Sequence, residues 1–66
     1  MSVAKVIEIN ASSKKNFEDA IEKGIAKASE TVKNITGAWV NEEKVVVKDG
    51  KVSEWRVNMK VSFVID

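Results

Sequence analysis

The last sixteen residues of the chain, Lys51 to Asp66, alternate between apolar and polar side chains. After Ser53 the positions of one set are Trp55, Val57, Met59, Val61, Phe63 and Ile65. The positions between them are charged or polar, except Val64. A period of two is typical of a strand with one covered face and one face that meets solvent or a partner. Its length predicts a central place in a sheet, and its apolar face needs a covering element.

The Asp49-Gly50 dipeptide lies between this strand and an earlier run of valines. Asp-Gly in such a place predicts a two-residue hairpin turn of the primed type. Paired positions then sum to 49 + 50 = 99, so Trp39 lies opposite Lys60. The polar segment 41–44 indicates a bulge, which would shift the pairings beyond it by one. The predicted polar face of the two strands consists of Gly37, Trp39, Asn41, Glu43, Glu54, Arg56, Asn58 and Lys60.

The segment Val3–Ile9 is rich in β-branched residues and predicts an edge strand. Ser13 is placed to cap a helix that begins at Lys14. We expect this helix to run for about five turns and to end within 34–37, where Gly37 is either a left-handed cap or the first residue of the next strand. Its apolar and small residues recur at steps of three and four, at Phe17, Ala20, Ile21, Gly24, Ile25, Ala28, Val32 and Ile35.

Small side chains form one stripe of this predicted helix, at Ala20, Gly24 and Ala28. A glycine inside a helix costs about 1 kcal/mol relative to alanine. We expect that the glycine lets the helix approach the sheet closely and that the resulting packing compensates for this cost. The alternative is that the glycine is tolerated without a packing role. Together the elements predict an α+β fold of order β-α-β-β, with a three-stranded antiparallel sheet (strand order 1-3-2) wrapped around one helix.

Composition indicates how such a domain is stabilised. We treat residues 1–66 as a single domain, and a domain of this size buries only about 60% of its unfolded surface. The sequence contains no cysteine and no histidine, so disulfides and the usual zinc sites are excluded. Small domains without these supports usually depend on assembly, and we expect oligomerisation.

Net charge excludes some partners. The chain carries 11 basic and 10 acidic residues, a net charge of +1, which gives no long-range field for nucleic acid or anionic membranes. No apolar run is long enough to span a bilayer, and the N-terminus lacks the layout of a signal peptide. A cytoplasmic location is the default expectation.

The residues that catalysis usually needs are missing or scattered. No serine has a neighbouring base, and the three glycines do not form a phosphate-binding loop. Glu42 and Glu43 are neighbours on a strand and therefore point to opposite faces. We expect a protein that is not an enzyme, with no catalytic residue and no metal-ligating set.

Four segments in order carry a resemblance to a known family: KVIEI near the start, the serines before the helix, ETVKNI at its end, and the closing DGKVSEWRVNMKVSF. Their order and spacing closely resemble dodecins over nearly the whole chain. The resemblance implies a hollow homododecamer that stores a small-molecule ligand, a flavin (FMN or riboflavin), at sites between subunits.

The resemblance also implies four candidate cofactor-binding residues. Flavin-binding dodecins have a ring-stacking tryptophan at the position of Gly37 and a glutamine that meets the ring's polar edge at the position of Arg56. Lys44 matches a basic residue that meets the flavin phosphate in some relatives. Trp39 lies two residues from Gly37 on the same predicted face, so we expect it to replace the missing ring or to fill the vacated volume.

Three alternatives remain open at this stage. One is a flavin-free assembly that binds a cation such as calcium, or another small ligand, through residues of several copies: Glu43, Glu54 or Asp66. Another is a purely structural shell in which Trp39 and Arg56 pack against neighbouring copies. The third is a platform for single-stranded nucleic acid formed by Trp39, Arg56 and Lys60, against which the near-neutral charge argues.

Overall fold

A computed structural model describes residues 3–65 of the chain. It contains four elements: β1 (Val3–Ser13), α1 (Phe17–Ala28), β2 (Ile35–Lys48) and β3 (Lys51–Ile65). The three strands form one sheet of order β1-β3-β2, and both pairs are antiparallel. The predicted α+β fold with β3 in the centre is confirmed.

The β2–β3 connection is the predicted two-residue turn. Asp49 and Gly50 both have positive φ, at 52° and 75°, as a type I′ turn requires. Lys48 pairs with Lys51 on either side of it. This turn twists in the same sense as the strands, which explains why a hairpin of 14- and 15-residue strands forms around it.

Three register shifts interrupt the hairpin, one of them between Ile35 and Gly37, and the two nearer the turn cancel one another. The register shifts by one residue next to the turn, between Val46 and Val47, and shifts back at the bulge formed by Asn41. Beyond both bulges Trp39 pairs with Lys60, as predicted. Between the bulges the predicted register is off by one residue.

This one-residue shift corrects the predicted polar face. Glu43 pairs with the buried Val57 and therefore belongs to the side of the sheet that carries α1, whereas the prediction placed it on the polar face. Lys44 pairs with Arg56 and shares the polar face with it. Because side chains alternate along a strand, one extra residue exchanges the faces of all residues up to the next bulge.

The helix is shorter than predicted at both ends. Asn16, not Ser13, caps it, and its Oδ1 accepts a hydrogen bond from the Asp19 amide at 2.7 Å. Ser13 is the buried last residue of β1, and its Oγ accepts from the Lys15 amide at 2.9 Å. At the other end the chain turns after Ala28 and enters β2 through a left-handed Asn34, with φ of 64°.

The core lies between α1 and the adjacent strands β1 and β3. Ala20, Met59 and Val61 have no exposed surface. A Cβ added to Gly24 would lie 2.8 Å from Ala11 Cβ and 2.8 Å from Met59 Cε, which is closer than real Cβ atoms approach. The prediction that Gly24 allows close approach of helix and sheet is therefore confirmed.

The helix covers only part of the hairpin. Twelve helical residues span about 18 Å, whereas the molecule is 52 Å long. Near the turn, on the same side of the sheet as α1, Val45, Val47 and Val52 are 37%, 60% and 44% exposed. Trp55, opposite Val45, is half-buried on this side. The far end of the hairpin therefore presents an apolar surface that its own chain does not cover.

We predict that Gly24→Ala destabilises the fold, although alanine is the better helix former. The added methyl group would overlap Ala11 Cβ, which is fixed to the β1 backbone. Overpacking of this kind costs about 1–3 kcal/mol, more than the gain of about 1 kcal/mol in helix propensity. Chemical denaturation at fixed protein concentration measures the difference. Ala26→Gly, at an exposed position of α1, measures the difference in helix propensity between alanine and glycine without a packing effect. A Gly24→Ala variant as stable as wild type would contradict the packing argument.

We also predict a contribution of Asp19 to stability that depends on pH. The Ser13 hydroxyl donates a hydrogen bond to Asp19 Oδ2 at 2.5 Å, and Lys23 Nζ lies 3.1 Å from the same oxygen. The Ser13 hydrogen bond first, and then Lys23, lower the pKa of Asp19 below its ordinary value of 3.8. A carboxylate with a lowered pKa stabilises the fold above its unfolded pKa, and this stabilisation is lost as pH falls through the folded value.

The free energy of unfolding of wild type should therefore exceed that of Asp19→Asn most above about pH 5, and the difference should shrink toward about pH 2. Urea titrations across this range measure it. Glu22→Gln, a carboxylate change on an exposed position of the same helix, serves as the matched control. A difference between wild type and Asp19→Asn that is constant with pH would show that the contacts of Asp19 do not stabilise its charged form.

Candidate functional site

The face of the sheet away from α1 carries the polar side chains, and we call it the outer face. Its residues alternate along β3 with the buried Val57, Met59 and Val61. The pairing of the strands arranges them in rows across β1, β3 and β2. From one end to the other, four of these rows are Val6–Ser62–Gly37, Glu8–Lys60–Trp39, Asn10–Asn58–Glu42 and Ser12–Arg56–Lys44.

Trp39 is the large aromatic group of this face. It lies opposite Lys60 and is 49% exposed. The neighbouring Gly37 leaves space beside it, because a Cβ at that position would meet only Ser62 Oγ, at 3.5 Å, an ordinary contact distance. An open ring next to an empty position on a flat sheet offers a stacking surface for a planar ligand.

A row of amide side chains crosses the middle of the outer face. Asn58 Nδ2 donates to Asn10 Oδ1 at 2.9 Å and to Glu8 Oε2 at 2.8 Å. Asn41 Nδ2 donates to Asn58 Oδ1 at 3.2 Å. The bulge on β2 supplies Asn41, so all three strands contribute to the network. These bonds hold the amides in fixed orientations and leave further acceptor and donor capacity toward solvent.

The row beyond the amides is positively charged. Arg56 Nε donates to Glu54 Oε1 at 2.9 Å, and this bond is the main cause of a lowered pKa for the Glu54 carboxyl. A hydrogen bond from Ser12 also favours the charged form of Glu54. Lys44, opposite Arg56, has no carboxylate within ion-pair distance among residues 3–65. Glu54 pairs with Arg56, and Glu42 lies two residues from Lys44 on the same face of β2, beyond ion-pair distance.

The structure thus places all four predicted cofactor-binding residues on the outer face, in two separate groups. Gly37 and Trp39 lie at one end, and Lys44 and Arg56 lie toward the turn. The Trp39 and Arg56 rows are four β3 residues apart, about 13 Å at about 3.3 Å per residue. One compact ring cannot contact both groups of the same chain. Their roles in binding stay a prediction.

Sequence reasoning missed the contribution of β1. Glu8 and Asn10 hold Asn58 in place, but no turn connects β1 to β3 and its register could not be read from the sequence. The charge complementarity of Glu8 with Lys60, its partner on β3, was the available signal.

A depression of the surface lies away from the outer face. It has a volume of about 530 Å³, is open to solvent, and lies between α1 and β1 on the other side of the sheet. Its floor is formed by Ile9, Ala11 and Gly24, where the small residues leave space. A smaller depression of about 250 Å³ includes Ser12, Glu54 and Arg56 of the outer face. We place the candidate site on the outer face because the exposed aromatic ring and the two facing cations both lie there.

Within residues 3–65 no three acidic side chains lie close enough together to hold a metal ion. Asp66, one of the predicted acidic contributors, lies outside the described residues. In the same part of the chain no helix has the length and apolar character needed to cross a membrane.

Comparisons with known proteins agree with this fold. The sequence matches the Dodecin family over residues 3–66. The solved structure of dodecin from Streptomyces davaonensis is 34% identical, with a TM-score of 0.94, and the match covers 98% of this chain and 96% of that one. A variant of Thermus thermophilus dodecin is 26% identical, with a TM-score of 0.94 and coverage of 100% and 98%. No curated protein sequence gives a significant match.

A third similar structure is described by its metal. It is the calcium-chelating antigen calcium dodecin from Mycobacterium tuberculosis, described as having a novel calcium-binding site. It is 33% identical to this chain, with a TM-score of 0.84, and the match covers 98% of this chain and 93% of that one.

Proposed function

The chain belongs to the dodecin family, and from this premise we propose that it forms a hollow homo-oligomer that binds and sequesters flavin between subunits without catalysis. The observation that carries the proposal is the half-exposed Trp39 ring on the outer face, beside the empty position of Gly37. A planar ring that stacks on this tryptophan is shielded on one side only. A second copy is needed to cover its other side, which is why the site is assigned to the boundary between subunits.

The exposed apolar end of the hairpin supports assembly. Val47 and Val52 lie beyond the reach of α1, at 60% and 44% exposure. Contiguous apolar surface of this kind marks an interaction site in a small domain. Burying it against further copies would provide the stabilisation that a core of a few fully buried residues does not. In a dodecin-like shell of twelve copies the outer face would be shared between neighbouring subunits.

The side chains present fit a flavin, although the aromatic residue lies two positions away from its place in the family pattern. Gly37 stands where flavin-binding dodecins have tryptophan, and Trp39 provides the aromatic surface one pleat away, on the same face. Two residues along a strand correspond to about 7 Å. The bound ring would therefore lie closer to the middle of the outer face, between the tryptophans of neighbouring copies.

The calcium alternative is supported by the likeness to calcium dodecin but not by the described residues of this chain. Calcium takes six to eight oxygen ligands, mostly from carboxylates. The described part of the chain has no such group, so a calcium site would have to combine acidic residues of several copies. Flavin binding that persists after treatment with a chelator would show that it does not depend on bound calcium.

We predict that Trp39→Ala weakens flavin binding by about tenfold or more, because stacking on an aromatic side chain contributes about 1–3 kcal/mol. The measurement is quenching of riboflavin fluorescence during titration with assembled protein. Trp55→Phe changes the other tryptophan, which lies on the opposite side of the sheet, and should leave the binding curve unchanged. Gly37→Trp adds a second ring where space exists and should strengthen binding.

The wild-type titration tests flavin binding itself, and the Trp39→Ala titration tests its location. If wild type does not quench riboflavin or FMN at tens of micromolar, or if Trp39→Ala binds as well as wild type, flavin storage on the outer face is wrong.

We further predict that Val47→Asp weakens the assembly. Val47 is 60% exposed in the subunit, so the change should cost little folding stability. In an interface it would bury a charge without a partner, which costs several kcal/mol. Size-exclusion chromatography with light scattering measures the mass as the protein is diluted. Ala26→Asp, on the exposed side of α1, is the matched control, and a wild-type chain that is a stable monomer when dilute would overturn the assembly.

A further inference from the structure

The turn between β2 and β3 places a side-chain carboxyl group next to a glycine amide, at Asp49 and Gly50. In peptides these two groups react with each other, because glycine has no Cβ that would hinder the approach. The Gly50 nitrogen attacks Asp49 Cγ, the N–Cγ bond forms, and the carboxyl hydroxyl leaves with the amide proton as water. Water from the solvent then opens the resulting succinimide ring at either carbonyl carbon. One product is aspartate, and the other is isoaspartate, in which the main chain runs through the former side-chain carboxyl group.

The closed turn keeps the two reacting atoms apart. The ring can close only when the Gly50 nitrogen lies on the same side of the Asp49 Cα–C bond as the side chain, which requires a strongly negative ψ at Asp49. The φ values of 52° and 75° identify a type I′ turn, whose ψ at the first central residue is about +30° by mirror symmetry with type I. This ψ turns the nitrogen away from the carboxyl group. Isomerisation therefore requires the turn to open.

Few contacts hold this turn closed. Lys48 and Lys51 lie directly opposite one another on either side of it, and like charges in such a pair are destabilising. Val47 and Val52, the next pair, are 60% and 44% exposed. A Cβ added to Gly50 would meet no other atom within 4 Å, so nothing in residues 3–65 packs there. Segments with so few contacts open locally at a small cost in free energy.

We propose that Asp49 is a site of spontaneous isomerisation to isoaspartate, that opening of the turn controls the rate, and that the product prevents the turn from closing again. Isoaspartate adds one main-chain atom to the loop and leaves a charged carboxylate as a side group. A two-residue loop does not accommodate this addition, because its twist matches the strands only with both central residues at positive φ. The pairing of Lys48 with Lys51 and the register next to the turn are then lost.

The experiment follows the peptide of residues 44–54, which a protease specific for glutamate releases by cleavage after Glu43 and after Glu54. The two isomers have the same mass, so chromatography separates them and electron-transfer fragmentation identifies the isoaspartate by its extra main-chain bond. Folded wild type and wild type in urea are incubated side by side at neutral pH. Isoaspartate should accumulate at residue 49 in both samples, but about tenfold or more slowly in the folded protein, because only the opened fraction reacts.

A variant of the lysine pair tests the control by the turn. Lys51→Glu replaces two like charges by an opposite pair, and in the folded protein it should slow isomerisation by about twofold to fivefold. Its peptide ends at residue 51 and still contains the reactive pair, and in urea, where no turn forms, its rate should equal that of wild type. Lys33→Glu makes the same change of charge outside the helix and strands and should isomerise at the wild-type rate.

Three results would overturn the proposal. Equal rates in the folded protein and in urea would show that the turn does not control the reaction. Equal rates of folded wild type and Lys51→Glu would show the same. Absence of isoaspartate from folded wild type, over many half-times of the reaction in urea, would show that the turn stays closed and that Asp49 is not a modification site.

The modification also affects assembly, a consequence that rests on the proposed function. Val47 and Val52 flank the turn and belong to the surface that we expect to bind further copies. Protein enriched in isoaspartate by incubation should therefore dissociate at about tenfold higher concentration than fresh protein in light scattering on dilution. Dissociation of both samples at the same concentration would refute this consequence. If fresh protein is already monomeric, the proposed assembly is wrong, whereas the isomerisation rates still decide whether Asp49 is modified.

Discussion

The pairing of β2 with β3 determines which side chains can act together. The Asp49-Gly50 turn starts this pairing, and two bulges of opposite effect then exchange the faces of the residues between them. The shift next to the turn, between Val46 and Val47, sets Lys44 opposite Arg56 on the outer face. The bulge at Asn41 then returns Trp39 to that same face and places an amide in the row between them.

The hairpin is much longer than the helix that covers it. Three turns of helix cover the sheet only where small residues at Ala20 and Gly24 permit close packing. The strands continue far past the end of the helix. No other element of residues 3–65 covers the apolar valines near the turn, so their side chains stay exposed. A chain with this imbalance is suited to assembly, since the covering surface for one copy can come from the next.

The sequence was informative where the physics is local. The turn follows from one dipeptide, the close approach at Gly24 follows from a stripe of small residues, and the face of Trp39 and Arg56 follows from period-two alternation. The predicted start of the helix was wrong because the Ser13 hydroxyl accepts from the Lys15 amide and donates to the Asp19 carboxylate, whereas Asn16 accepts from the Asp19 amide and caps the helix. The faces of Glu43 and Lys44 depended on where a bulge falls, which several polar residues in a row leave undetermined. The partners of Asn58 on β1 are set by a register that no turn fixes.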